Sequence, residues 1–250
     1  MAKLKSLLKI EGTLDGMTFY KNQDGEYLVK TKSGVSKSRI ENDPAFIRTR
    51  ENGQEFGHVA KSGKAFRRAI ANLLADVPDK SKIYRLTSAL TKVKNFDATS
   101  TRGQRTVGIG INEPGGKEAF KFFDFNRKAT LDAILRTQYN LDSVNSEILI
   151  PNFTPNLNLG VPQGATHVEI SGGLLNFDFA SGEGDLQLSN VENLEIDDTN
   201  SSVTLAFATQ PSGSGDSYYF LKIAFFQEFN GQQYPLNNGA FNALQIIEIN

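Results

Sequence analysis

The sequence predicts an α+β protein in which an N-terminal β-hairpin and a helical hairpin precede an antiparallel β-sandwich of the Ig-like or jelly-roll kind. Three observations predict this class. An alternating ribbon surrounds an Asp24-Gly25 turn, helical periodicity runs from Phe56 to Val93, and strand-like alternation replaces it after residue 105. The predicted domains are a basic arm, residues 1–100, and an acidic β-sandwich, residues 101–250.

The predicted hairpin spans Leu14 to Lys32, with Asp24 and Gly25 at its turn. Glycine supplies the positive φ angle that a tight turn needs. Because a two-stranded ribbon is only marginally stable alone, we expect its apolar side chains to cover another surface, in this chain or in a neighbouring subunit. Those side chains are Met17, Phe19, Tyr20, Tyr27 and Val29.

The predicted helical hairpin comprises residues 44–76 and 80–95. Asp43 and Pro44 mark its start, since an Asp side chain caps free amides and proline is tolerated at the first helical position. The first helix carries an apolar stripe in steps of three and four, formed by Phe56, Val59, Gly63, Phe66, Ile70 and Leu73. Basic residues lie off this stripe and should face solvent, namely Lys61, Lys64, Arg67 and Arg68.

Eight to ten strands are predicted after residue 105. Short alternating or apolar runs follow one another between Gly, Pro, Asn and Ser clusters, beginning with Val107, Ile109 and Ile111. Their close spacing favours antiparallel pairing over a parallel sheet. Residues 128–139, KATLDAILRTQY, could be helical by composition, and we assign them as strand because strands surround them.

The net charge of −1 conceals a strong asymmetry. Residues 1–105 contain 21 Lys and Arg against 11 Asp and Glu, whereas residues 106–250 contain 6 against 17. Opposite charges in the two parts favour head-to-tail self-association, or attraction of an acidic partner such as nucleic acid. A solvated basic helix face beside an unrelated acidic sheet is the simpler alternative, and the sequence leaves all three open.

Four stretches of the chain are distinctive: IEGTLDGMTFYK, NDPAFIRTRENGQEFG, IPNFTPNLNLGVPQGATHVEI and the ending FFQEFNGQQYPLNNGAFNALQIIEIN. Together they resemble a family of uncharacterised proteins from Bacteroidota. The similarity covers most of the chain and implies that the basic arm and the acidic β-sandwich form one inherited unit. The family brings no established activity, so the resemblance implies no active-site residue.

Little catalytic chemistry is expected. The absence of cysteine excludes thiol catalysis and disulfides, and the only imidazoles are His58 and His167, which we expect to be structural. No serine-hydrolase, zinc-protease or phosphate-binding motif is present. We therefore predict no catalytic, cofactor-binding or metal-binding residue.

Loop carboxylates are the remaining candidates for a calcium ion or a glycosidase pair, and solvated loop acids are the favoured interpretation. These residues are Asp178, Glu183, Asp185, Asp197 and Asp198. A carbohydrate- or ligand-binding surface would use Tyr218, Tyr219 and Tyr234.

The start of the chain has too few consecutive apolar residues for a signal peptide, and no run is long enough to span a membrane. The expected location is the cytoplasm by default, or a released particle. No cofactor is expected.

The leading hypothesis is a non-enzymatic structural protein that self-associates through its N-terminal arm into an oligomer, filament or particle-like array. Nucleic-acid binding through the basic helical face and carbohydrate or ligand binding by the sandwich are the alternatives. The predicted interface consists of Phe19, Tyr20, Tyr27 and Phe56 as apolar contacts, with Lys64, Arg67 and Arg68 as the charged rim.

Overall fold

A computed structural model describes residues 2–4, 9–22, 24–31 and 34–250. Gln23 of the predicted turn and Lys32 at the end of the predicted ribbon lie outside the described residues. The chain forms two compact units, Met1–Glu51 and Asn52–Asn250. The division lies inside a helix and does not coincide with the expected boundary near residue 100.

The first unit contains the predicted hairpin, extended to a four-stranded antiparallel sheet of order β1-β4-β3-β2. Gly25 has a φ of +84° at the turn between the two hairpin strands, as the Asp-Gly pair predicted. The outer strands add on either side of the hairpin. The strands are β1 (Ala2–Lys3), β2 (Gly12–Leu14), β3 (Met17–Lys21) and β4 (Tyr27–Thr31).

Two short helical segments follow the sheet. Helix α1 (Lys37–Asn42) begins where Ser36 Oγ accepts a hydrogen bond from Arg39 N. A 3-10 turn (Pro44–Phe46) comes next, and Asp43 Oδ1 accepts from Ala45 N over 2.9 Å. The capping role predicted for Asp43 and Pro44 is therefore confirmed.

The predicted helical hairpin is also confirmed, as α2 (Ile47–Ala69), α3 (Ala71–Leu74) and α4 (Lys82–Lys94). Gly63 explains how α2 and α4 pack closely, because a Cβ there would already touch Leu90 Cδ1 at 3.4 Å. Phe56 departs from the predicted stripe, since it is 62% exposed. Glu55 is buried instead, where its carboxylate pairs with Lys94 and accepts from Gly103 N.

The strands predicted between residues 107 and 139 are wrong. This region forms α5 (Val107–Ile111), α6 (Pro114–Phe120) and α7 (Leu131–Ile134). Thr106 caps α5 through its side chain, and a Cβ at Gly110 would overlap Val93 O, so glycine permits tight helix packing there. Val107 and Ile111 are one helical turn apart as well as in alternation, so their spacing fits both structures.

The remaining chain forms two antiparallel sheets and α8 (Pro155–Asn158). The five-stranded sheet has the order β11-β10-β7-β8, with β12 also paired to β10, and the three-stranded sheet has the order β5-β6-β9. A second 3-10 segment, Leu236–Gly239, joins β11 to β12. The strands are β5 (Asn140–Asp142), β6 (Glu147–Phe153), β7 (His167–Phe177), β8 (Gly184–Glu195), β9 (Ser201–Ala206), β10 (Asp216–Phe229), β11 (Gln232–Pro235) and β12 (Ala243–Ile249).

Strand β10 shows how the second unit is layered. Its alternate residues Tyr219, Leu221 and Ile223 enter a core shared with the three-stranded sheet. Tyr218 and Phe220 point the other way, into a core shared with α2 and α4. The α+β class and the β-rich body are confirmed. The helical hairpin lies on the sheet of its own chain and shares its core.

Candidate functional site

The sheet of the first unit has an apolar face. Residues directly opposite each other in an antiparallel pair project on the same side, and the register pairs Leu14 with Met17, Phe19 with Val29, and Lys21 with Tyr27. We call the set Leu14, Met17, Phe19, Tyr27 and Val29 the apolar sheet face. Leu14 is 59% exposed and Met17 is 43% exposed.

No described residue of the first unit is buried. A fold normally places its apolar face against another layer. Leu14 and Met17 are exposed and Phe19, Tyr27 and Val29 are only partly buried, so every member of the apolar sheet face retains surface that a partner can cover.

Tyr20 lies on the opposite side of the sheet from Phe19 and Tyr27, since it pairs with Leu28. Lys30 Nζ lies 5.2 Å from the centre of the Tyr20 ring. The predicted aromatic trio is therefore divided between two faces. Lysine also surrounds Tyr27, with Lys9 Nζ 5.2 Å from its ring centre.

Helix α2 presents the second predicted interface region, within the second unit. Phe56, Lys64 and Arg68 are exposed, as is Lys61. We call Lys61, Lys64 and Arg68 the basic helix face. Among the described residues, these three cations have no carboxylate within 4.0 Å.

Arg67 does not belong to that face. Its Nη1 donates to Gly63 O over 2.9 Å, and burial lowers the pKa of its guanidinium. Arg67 is only partly exposed, because its guanidinium lies against the backbone of Gly63, so the expectation that it faces solvent holds in part.

His58 lines a cavity of about 540 Å³ with Thr106, Asp178, Phe179 and Asp216. Its Nε2 accepts a hydrogen bond from Val107 N over 3.2 Å, and burial, followed by the charge of Lys61, lowers its pKa. The imidazole is therefore neutral near pH 7. It holds the start of α5, which agrees with a structural role.

The carboxylates in the walls of this cavity already have hydrogen-bond or ion-pair partners within the chain. Asp178 Oδ1 accepts from Ala180 N over 2.7 Å, and this bond lowers the pKa of the Asp178 carboxyl. Asp216 forms an ion pair of 2.7 Å with Lys117. Asp178 also accepts hydrogen bonds from Ser181, from its backbone N–H over 3.1 Å and from its side chain.

The structure brings together Asp178, Glu183 and Asp185, which line a second cavity of about 680 Å³. Asp185 Oδ2 accepts from Ser212 N and Ser212 Oγ, so it fastens the 212–215 loop. Asp197 likewise accepts from Thr199 N over 2.9 Å. No group of three or more His, Asp or Glu side chains suited to a metal occurs in the described ranges.

The remaining candidates are separated. Tyr218 and Tyr219 are buried and Tyr234 is 49% exposed, so the proposed tyrosine surface does not form. Tyr218 and Tyr219 lie in β10, whose two sides are both buried in cores, which the alternation alone did not reveal. His167 contacts Thr166 Oγ1 at 3.0 Å and lies 3.5 Å from Glu228.

No family model, curated protein or solved structure matches this chain. The resemblance to a Bacteroidota family therefore stays a prediction. Among the described helices, none has the length and apolar composition needed to cross a membrane.

Proposed function

We propose that this protein is a non-enzymatic assembly protein whose N-terminal unit docks its apolar sheet face onto another copy of the chain. The observation that carries the proposal is the apolar sheet face. It belongs to a unit in which no described residue is buried. Completing the burial of half-exposed side chains such as Leu14 and Met17 is worth roughly 1 kcal/mol each.

Charge complementarity favours a second copy as the partner. Residues 1–51 contain 10 basic and 7 acidic residues, a net charge of +3, whereas residues 52–250 contain 17 and 21, a net charge of −4. Opposite signs on the two units attract different copies at low salt. Contacts between unlike surfaces close into rings or extend into filaments, depending on the rotation between neighbours.

Size-exclusion chromatography with light scattering, at micromolar concentrations and low salt, tests this proposal. The native protein should elute as an oligomer or polymer. Phe19→Ser should shift it toward the monomer, because Phe19 belongs to the apolar sheet face. Tyr20→Ser is the matched control, since it removes an aromatic ring from the adjacent position on the opposite face.

Circular dichroism establishes that both variants keep their secondary structure. A native protein that stays monomeric at every concentration would refute self-association. Equal effects of Phe19→Ser and Tyr20→Ser would show that the apolar sheet face has no special part in it.

Nucleic-acid binding is a second candidate, supported by the exposed basic helix face. Lys61, Lys64 and Arg68 could neutralise phosphates and release counterions, so the affinity would fall steeply with salt. A gel shift with double-stranded DNA across a salt series tests it. Retardation at low salt that disappears in Lys61→Ala/Lys64→Ala/Arg68→Ala supports this function, and the absence of salt-sensitive retardation rejects it.

A further inference from the structure

A third cavity, of about 500 Å³, lies between the start of α4 and the turn that follows α6. Three basic residues line it, namely Lys80, Arg127 and Lys128, together with the apolar Pro78 and Ala240. All three cations are exposed to solvent. The cavity has the size of an ordinary small-molecule site.

The turn that carries two of these cations is held rigidly. Asn126 is completely buried, and its Nδ2 donates to Ala240 O over 3.1 Å and to Asn242 O over 2.9 Å. Its Oδ1 accepts from Lys128 N over 3.0 Å. Asp79 Oδ2 accepts from Arg127 N, also over 3.0 Å. The backbone under both cations is therefore fixed before any ligand arrives, which lowers the entropy cost of binding.

Asp79 also lines the cavity, but its charge is already compensated. Arg85 Nη2 lies 2.7 Å from Asp79 Oδ2, and Ser81 N donates to Oδ1 over 2.6 Å. Burial alone would raise the pKa of Asp79, but the hydrogen bonds from Ser81, Arg127 and Arg85 outweigh it and hold the pKa well below its usual range. The Asp79–Arg85 pair is neutral as a whole, so the other three cations set the sign of the cavity.

The distribution of basic residues makes this cavity unusual within the acidic part of the chain. Of the 6 basic residues after position 105, Lys117, Lys121 and Lys222 form ion pairs with carboxylates. Arg127 and Lys128 are adjacent, lie at the cavity, and have no carboxylate within 4.0 Å among the described residues. Two unpaired cations on a fixed turn are suited to an anionic ligand.

We propose that this cavity binds a small organic phosphate, with the phosphate held by Arg127, Lys128 and Lys80 and the organic part against Pro78 and Ala240. Guanidinium and ammonium groups donate charge-assisted hydrogen bonds to phosphate oxygens, and the planar guanidinium can donate two in parallel. The apolar wall distinguishes such a ligand from inorganic phosphate. This inference is independent of self-association through the N-terminal unit.

Isothermal titration of the full-length protein tests the site with phenyl phosphate as the probe. Phenyl phosphate should bind more tightly than inorganic phosphate, and benzyl alcohol should not bind. The affinity should fall as NaCl rises to about 0.5 M, because exposed charges are screened at that ionic strength.

Arg127→Ala/Lys128→Ala should weaken phenyl phosphate binding by about tenfold or more, because charge-assisted contacts are lost. The variant keeps Asn126 and the backbone N–H groups that fix the turn. Lys61→Ala/Lys64→Ala is the matched control, with the same change in charge at residues that do not line the cavity, and should bind as the native protein does. Ala240→Leu narrows the cavity without changing charge and should also weaken binding.

Three outcomes would overturn the proposal: no binding of phenyl phosphate at millimolar concentration, unchanged affinity in Arg127→Ala/Lys128→Ala, or an equal loss in Lys61→Ala/Lys64→Ala. Native-like circular dichroism of each variant ensures that a loss of binding reports on the site. If the charge variant failed to fold, Ala240→Leu would decide, since unchanged binding there would exclude this cavity.

Discussion

Lys222, in the central strand β10, donates from Nζ to Asp76 Oδ1 over 2.5 Å and so ties the five-stranded sheet to the segment that follows α3. The sign of this pair is the reverse of the overall asymmetry, because the acid lies in the basic part of the chain and the base in the acidic part. Asn242 Nδ2 reinforces the contact by donating to Asp76 O over 2.9 Å. This contact between the helical region and the sheet uses none of the three cations of the basic helix face, which have no carboxylate within 4.0 Å among the described residues.

The pair of Glu55 and Lys94 should be important for stability. Both residues are buried, at 5% and 7% exposure, and Glu55 also accepts from Gly103 N. Lys94→Ala should lower the free energy of unfolding by about 3–5 kcal/mol, because it leaves a buried carboxylate without its counter-charge. Urea denaturation measures this loss. Lys121→Ala breaks a more exposed pair and should lower the free energy of unfolding by only about 1 kcal/mol or less. An equal loss in Lys94→Ala and Lys121→Ala would contradict this explanation.

Asp97 should make the protein sensitive to acid. Burial alone would raise the pKa of Asp97, but hydrogen bonds from the backbone N–H groups of Thr106 and Ser100 outweigh it and hold the pKa well below its usual range. Its contribution is complete above the unfolded-state pKa of about 4 and is lost as pH falls toward the folded-state pKa. Asp97→Asn should therefore be less stable at pH 7, and its stability should depend less on pH below about 4. Urea unfolding at several pH values measures the free energy of unfolding of both proteins. An equal dependence of that free energy on pH in the two proteins would refute this explanation.

Two helical glycines should respond oppositely to alanine. Nothing lies within 4 Å of a Cβ built on Gly57, so Gly57→Ala should stabilise the protein by about 0.5–1 kcal/mol through helix propensity. Gly110→Ala should destabilise it by about 2 kcal/mol or more, because the new Cβ would overlap Val93 O. Thermal unfolding followed by circular dichroism compares the two. A stabilising Gly110→Ala would mean that α5 does not pack on α4 as described.

The hydroxyl of Tyr218 should be dispensable for stability. The residue is 0% exposed, and its hydroxyl has no hydrogen-bond partner among the described residues. Tyr218→Phe removes an unsatisfied polar group and keeps the ring that packs 5.2 Å from Phe66, so it should stabilise the protein by about 1 kcal/mol. Chemical denaturation measures the change. A loss of stability would reveal a partner for the hydroxyl.

Local signals predicted several elements well. The Asp24-Gly25 turn identified the hairpin, and the steps from Val59 to Leu73 identified the buried face of α2 and α3. These signals depend on residues close in the chain, so sequence alone contains them. Strand β8 carries a weaker local signal because its run GDLQLSNVENLE is largely polar, and it is a strand through its pairing with β7.

The candidate sites were harder to predict because each combines distant segments. The third cavity joins Lys80 to Arg127 and to Ala240, and its backbone is fixed by the buried Asn126. The adjacent basic residues Arg127 and Lys128 in an otherwise acidic region were a signal that could have been noticed. Their lack of carboxylate partners could be known only from the folded chain.

By itself, the sequence determined the α+β class, the hairpin, the helical hairpin and the opposite charges of its two parts, because periodicity, turn chemistry and composition are local properties. Only the tertiary structure decided that α2 and α4 share a core with the sheet of the same chain, that Arg67 is partly buried, and that the loop carboxylates cap backbone. Those outcomes depend on which surfaces pack against each other and are thereby buried. That is a property of contacts between residues far apart in the chain, which local patterns do not encode.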